Sequence, residues 1–209
     1  MQINNYQGVK IIGRKKSTVR DELVVEAPLQ ININGASYTV VMRTPGNDID
    51  LILGLFYAED IYKKKDKLPS FTIKEKQDGI PKIIDVKIAK NDLGKGYLNK
   101  RTLLSVSSCG ICGKKELADL YTDGKSLETK LSFSSDILFA MLDEFHLHQT
   151  VFKKTGGSHA AGIFNHDYEF LTLREDIGRH NAVDKCIGHL LQVNNLNSGN
   201  YLIVSGRVS

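Results

Sequence analysis

Glu169-Phe170-Leu171-Thr172-Leu173 reads as a strand, the run from about Asn181 to Val193 as a helix, and Tyr201-Leu202-Ile203-Val204 as a further strand. Val183, Ile187, Leu190 and Leu191 recur at helical spacing and set the inward face of the middle element. A strand, a helix and a strand in that order predict a βαβ unit with a right-handed crossover, and hence an α/β second half. Upstream, Ala160 to Phe164 reads as a strand, with turns at Asn165 to Asp167 and at Thr155-Gly156-Gly157. Before these, Ser134, Ser135 and Asp136 offer caps for a helix carrying Ile137, Leu138, Met141, Leu142 and Phe145. After Val204 the tail Ser205-Gly206-Arg207-Val208-Ser209 has the look of a strand-to-helix loop. A terminal strand of a parallel sheet calls for a covering helix, so the domain reads as cut short at its C-terminal end.

The first hundred residues follow a different rhythm. Leu29, Ile31 and Ile33 alternate with polar residues, as do Tyr38, Val40 and Met42, and the two runs flank Asn34-Gly35, a strong hairpin signal. Arg43-Thr44-Pro45-Gly46 breaks the second strand, and Asn47 caps a helix in which Ile49, Ile52, Leu53 and Phe56 share a face. Phe71 to Glu75 and Ile83 to Ala89, joined through Gln77-Asp78-Gly79, form a second expected hairpin. Asn91 to Lys100, with Gly94 and Gly96, reads as a linker. The expected division is a strand-rich region with one helix over 1–100 and an α/β domain over 101–209, α+β overall. Leu103 to Val106 opens the second region as a short buried strand, and Lys114 to Tyr121 has helical composition. Cys109-Gly110-Ile111-Cys112-Gly113 sits at that strand-to-helix junction.

The 209 residues are 41% hydrophobic and 25% charged, which fits a globular chain and excludes disordered and fibrous classes. Three cysteines cannot pair completely, and MQINNYQGVKIIGRKK has no apolar core of a secretion signal, so free thiols in a reducing, cytoplasmic compartment are expected. The longest apolar stretch, Ile49 to Ala58, is interrupted by Asp50 and too short to span a bilayer, so no membrane partner is expected. From Lys63 to Arg101, twelve Lys and Arg stand against five Asp and Glu in a chain of net charge +4. Such a sector can hold an anion or serve as a solvated hairpin edge. It has no interleaved aromatics and little Arg, so nucleic acid is not an expected partner.

Cys109-x-x-Cys112 is the sharpest chemical signal. A helix beginning near Cys112 would favour a thiolate at Cys109, and Lys114 and Lys115 add positive potential. The pair supports a zinc half-site, a dithiol oxidoreductase or a persulfide carrier. No second C-x-x-C or H-x-x-x-H pair completes a zinc site, so no metal is expected. Zinc deaminases carry H-x-E before P-C-x-x-C. Here His159-Ala160-Ala161 follows the cysteines, alanine replaces the glutamate and Ser108 replaces the proline, which argues against deamination. Arg174 to Asn181 lies at a helix entrance where backbone amides attract anions, with Arg179 and His180 adding to the site. The competing reading of Glu175, Asp176 and Arg179 is a surface ion network. Gly156, Gly157, His159, Arg179, His180 and Arg207 are the residues expected to converge on one pocket at the strand ends. His146, His148, His166 and His189 are read as structural.

Five segments together resemble a known family. Arg43 to Gly46, Ser108 to Gly113, Thr155 to Gly162, Glu175 to Lys185 and Ser205 to Arg207 match, in order, motifs of the FdhD family of formate dehydrogenase accessory sulfurtransferases. The resemblance implies that sulfur is accepted as a persulfide from a cysteine desulfurase. It is then delivered to the molybdenum or tungsten bis-guanine-dinucleotide cofactor before that cofactor enters formate dehydrogenase. It also implies a cytidine-deaminase-like second domain, Cys109 as the persulfide-bearing residue with Cys112 as its partner, and the glycine and Arg-His motifs as nucleotide contacts. GDP is then the expected partial ligand, and two guanine nucleotides per cofactor favour a homodimer with one pocket per chain. A dithiol oxidoreductase and a non-catalytic cofactor carrier are the alternatives.

Overall fold

The computed structural model describes residues 2–62, 64, 67–98, 103–104 and 134–207. Two strands, β1 (Ile3–Ile12) and β2 (Lys15–Val24), form a separate antiparallel ribbon that turns at Gly13. No strands were expected over these residues. The first hairpin is present as β3 (Ala27–Ile33) and β4 (Ala36–Arg43), and Asn34 and Gly35 both take positive φ at the turn. On β3 the expected residues face inward, with Leu29 and Ile31 fully buried. On β4 the buried set is Thr39, Val41 and Arg43, whereas Val40 and Met42 are exposed. The cause is a bulge: Asn32 pairs with Ser37 but Ile31 pairs with Thr39, so Tyr38 is an extra residue and the strand's parity reverses beyond it.

Helix α1 (Asp48–Ala58) follows the Thr44-Pro45-Gly46 break. Asn47 stands at its N-cap position in the left-handed region and makes no side-chain cap, contrary to expectation. The start is held instead by Asp48, whose carboxylate meets the Arg43 guanidinium at 2.9 Å. The second hairpin is β5 (Ser70–Gln77) with β6 (Ile80–Lys87), and β7 (Leu103–Leu104) pairs parallel with β4. The resulting mixed sheet has the order β5-β6-β3-β4-β7, with β3 and β6 also parallel. Leu29, Ile31, Ile84 and Val86 of this sheet pack on Leu51, Ile52 and Phe56 of α1. Each side chain so buried contributes about 1.5–3 kcal/mol.

Asn91 to Leu98, expected as linker, is packed structure. A 3₁₀ turn (Lys90–Asp92) and α2 (Lys95–Leu98) lie against the end of α1. A Cβ on Gly94 would fall 2.0 Å from the Asp60 carbonyl oxygen, and one on Gly96 would fall 1.7 Å from that of Glu59. These glycines permit close approach rather than flexibility.

The second half contains α3 (Ser135–His148), α4 (Thr150–Thr155), β8 (His159–Phe164), β9 (Phe170–Asp176), α5 (Arg179–Gln192) and β10 (Tyr201–Val204). Ser134 caps α3 by accepting from the Ile137 amide, as expected. The expected strand-helix-strand unit is there, but β8 lies between β9 and β10 and runs antiparallel to both. The tight Asn165 turn makes β8 and β9 a hairpin, so no two neighbours in this sheet are parallel. Met141 and Phe145 of α3 cover one face, and Ala182, Cys186 and Leu190 of α5 cover the other. Helix α5 then packs on α1, giving the layer order α3, small sheet, α5, α1, large sheet. The two helices approach through glycines. A Cβ on Gly54 would lie 1.9 Å from the Asp184 carbonyl oxygen, and one on Gly188 would lie 1.8 Å from that of Asp50. Among the described residues no helix is long and apolar enough to cross a membrane.

Candidate functional site

Between α3, α4 and the end of β10 lies an open cavity of about 480 Å³. Leu142, Phe145, Phe152 and Ile203 supply its apolar wall, and Gln149, Ser158, His159 and Ser205 supply polar groups. Gly156 and Gly157, two of the expected site residues, form its rim. The turn arises because α4 ends at Gly156, which takes φ +63° and donates its amide to the Phe152 carbonyl at 2.7 Å. His159 opens β8 at the same rim, with Nδ1 3.4 Å from Ser205 Oγ. His146, read as structural, also lines the cavity.

The Arg-His motif begins α5 as expected. Between His159 and Arg179 lies Gly206: a Cβ there would be 3.4 Å from both His159 Nδ1 and the Arg179 side chain. The helix entrance and the cavity rim are therefore neighbours. Nδ1 of His180 is buried without a hydrogen-bond partner among the described residues. Burial, and then the charge of Arg179, hold its pKa below the usual histidine value. Arg207 is exposed beyond Gly206. Cys109 and Cys112 lie outside the described residues, as does the expected helix from Lys114 to Tyr121. The basic sector falls partly on β5 and β6, where Lys74, Lys76, Lys82 and Lys87 are exposed and Lys82 pairs with Glu75 at 3.0 Å. No group of three His, Cys, Asp or Glu among the described residues could hold a metal ion.

Glu175 and Asp176 are not a surface ion network; they are 6% and 0% exposed. They point to opposite sides of β9, as successive strand residues must. Glu175 accepts from the amides of Val151 and Phe152 and from the hydroxyls of Thr150 and Ser158. Asp176 Oδ2 meets Lys185 Nζ at 2.7 Å and accepts from the Thr44 amide at 3.0 Å. Its Oδ1 accepts from the Gly178 amide and the Asn181 amide group. Thr44 completes the knot: its Oγ1 accepts from the Ile177 amide at 3.0 Å and its carbonyl accepts from Lys185 at 2.8 Å. Thus Thr44, from the first half of the chain, fixes the loop that carries Arg179 and His180. The neighbouring Arg43 fastens the large sheet, donating to Asp48 and to the carbonyls of Ala27 and Pro81.

Asp184, on the α5 side facing α1, has its carboxyl pushed up to about 8, first by burial and then by the charges of Glu59 and Asp176. A carboxyl raised above its ordinary value of 3.8 contributes stability that is complete below that value and is lost as pH rises through about 8. Thermal midpoints are expected to fall between about pH 5 and about pH 8.5 in the wild type and to fall less in Asp184→Asn. Equal slopes in the two proteins would contradict this assignment.

The sequence model of the FdhD/NarQ family matches residues 24–209. Sulfur carrier protein FdhD of Streptomyces avermitilis is 36% identical over 201 residues, covering 92% of this chain and 71% of that protein. The protein of the same name from Sulfurisphaera tokodaii is 35% identical, covering 100% of this chain and 78% of its own length. The crystal structure of a proposed formate dehydrogenase accessory protein from Desulfotalea psychrophila superposes with a TM-score of 0.68 at 17% identity. The match covers 99% of this chain and 75% of the other, and places the α+β fold among known ones. On the extent of these matches, the chain belongs to the FdhD/NarQ family.

Proposed function

We propose that this chain is a sulfur carrier in formate dehydrogenase maturation. It receives sulfur as a persulfide on Cys109 from a cysteine desulfurase and passes it to a molybdenum or tungsten bis-guanine-dinucleotide cofactor, which is its substrate. The Cys109 thiolate attacks the terminal sulfur of the donor persulfide, that S–S bond breaks and the donor thiolate leaves. Attack of Cys112 on the Cys109 sulfur then releases the terminal sulfur as hydrosulfide for the metal. A Cys109–Cys112 disulfide remains and is reduced by a dithiol before the next round. The reducing conditions this requires suit the cytoplasm.

The observation that carries the reading is the half-apolar cavity beside the Arg179 entrance, joined to it at Gly206. A cavity of about 480 Å³ accommodates a nucleoside. Arg179, His180 and Arg207 lie beside the Gly156-Gly157 rim, where its phosphates would be held. The family membership and the names of the relatives support the sulfur-carrying half. A homodimer presenting one such pocket per chain would match the two nucleotide arms of the cofactor. GDP is the probe: calorimetry is expected to show binding that weakens with salt and falls about tenfold or more in Arg179→Ala. Unchanged affinity in a folded Arg179→Ala protein removes the helix entrance from the site.

A further inference from the structure

The cavity owes one of its walls to a strap from Thr150 to Ser158, made of α4 and the Gly156-Gly157 turn. Its middle is held by its own bonds, with Thr155 Oγ1 donating to the Val151 carbonyl at 2.9 Å and accepting from the Gly157 amide at 3.2 Å. Its two ends are held by a single side chain that belongs to neither the strap nor the cavity lining. Glu175 Oε2 accepts from the Val151 amide at 2.7 Å. Its Oε1 accepts from the Phe152 amide at 2.7 Å and from Ser158 Oγ at 2.9 Å. The carboxylate is 6% exposed, so water offers no replacement for these contacts.

We infer that Glu175 is the positioning residue of the nucleotide cavity: one buried carboxylate clamps both ends of the Thr150–Ser158 strap and so sets the wall against which the ligand packs. This rests on the cavity being the nucleotide site proposed above. A carboxylate suits the role because it only accepts, while two of its four partners are amides that can only donate and the other two are hydroxyls turned to donate. Glutamine keeps the shape but presents an NH₂ group to one strap end, so an amide there faces a donor. The amides at the start of α4 have no other acceptor within so short a helix.

The test uses the whole chain with Glu175→Gln and GDP as the probe. Calorimetry is expected to show GDP binding weakened about tenfold, since an unmatched buried amide loosens the wall. Hydrogen exchange is expected to quicken at Val151 and Phe152 while the Ala182 amide of α5 keeps its rate, which separates a local loosening from general destabilisation. If Glu175→Gln does not fold, Ser158→Ala cuts the far end of the clamp and Ser158→Thr restores the hydroxyl. Affinity is then expected to fall in the first and recover in the second. Wild-type GDP affinity in Glu175→Gln, or in Ser158→Ala, overturns this inference alone. A wild-type protein that binds no GDP overturns the nucleotide reading and this inference together.

Discussion

Cys109→Ala is expected to abolish sulfur loading entirely, while Cys186→Ala loads like the wild type. After incubation with a cysteine desulfurase and cysteine, mass spectrometry should find one added sulfur on the Cys109 peptide and none on the Cys186 peptide. The contrast rests on thiolate availability, since only the thiolate attacks a persulfide. Cys186 is fully buried on α5, and its Sγ donates to the Ala161 carbonyl at 3.0 Å. Burial pushes its thiol up to about 12, so only roughly one molecule in 10⁵ is ionised at pH 7. Cys109 has Lys114 and Lys115 close in sequence, with Gly110 inside the C-x-x-C pair and Gly113 directly after it. Loading lost in Cys186→Ala but kept in Cys109→Ala would reverse the assignment. A reversible Cys109–Cys112 disulfide without any sulfur loading would make the chain a dithiol oxidoreductase instead.

What could be read in advance divides along physical lines. Helical spacing exposed α3 and α5, and short apolar runs exposed β8 to β10, because the residues that pack the second half recur within each element's own stretch of sequence. It misled on β4, where one bulged residue, Tyr38, turned the alternating apolar set outward. Gly94, Gly96 and Gly156 were read as breaks. At Gly156 that was right, since the chain takes positive φ there; at Gly94 and Gly96, as at the helical Gly54 and Gly188, the cause is another backbone within reach of a missing Cβ. That information belongs to the partner, not to the local sequence. The short α4 had a usable signal in Lys153 and Lys154 followed by glycine, a helix C-terminal pattern. The cavity rim at Gly156, Gly157 and His159 was legible as a motif, whereas Ser158 and Ser205 were not singled out. Glu175 and Asp176 were hardest, because adjacent acids at a helix entrance look the same whether solvated or buried. Their partners Val151, Thr44 and Lys185 come from three different elements.

Lys185→Met is expected to cost about 3–5 kcal/mol of unfolding free energy, the range for breaking a buried pair by removing one member. Lys185 and Asp176 are both fully buried, and Nζ spends its donors on Asp176 at 2.7 Å, the Thr44 carbonyl at 2.8 Å and the Glu175 carbonyl at 3.4 Å. Methionine fills nearly the same volume, so the loss measures charge and hydrogen bonding rather than a cavity. Asp176 would then keep its amide donors from Thr44, Gly178 and Asn181 but lose its counterion. Neutralising it as well, in Lys185→Met with Asp176→Asn, should cost at least about 1 kcal/mol less than the two single losses combined, because the stranded charge disappears. Urea denaturation of the four proteins gives the coupling directly. A Lys185→Met loss below about 1 kcal/mol would show that packing alone holds the α5 entrance. The same knot joins Thr44 to Ile177, one step before the loop reaches Gly178 and Arg179. A large coupling would therefore mean that the first half of the chain stabilises the placement of the arginine proposed to hold the nucleotide phosphates.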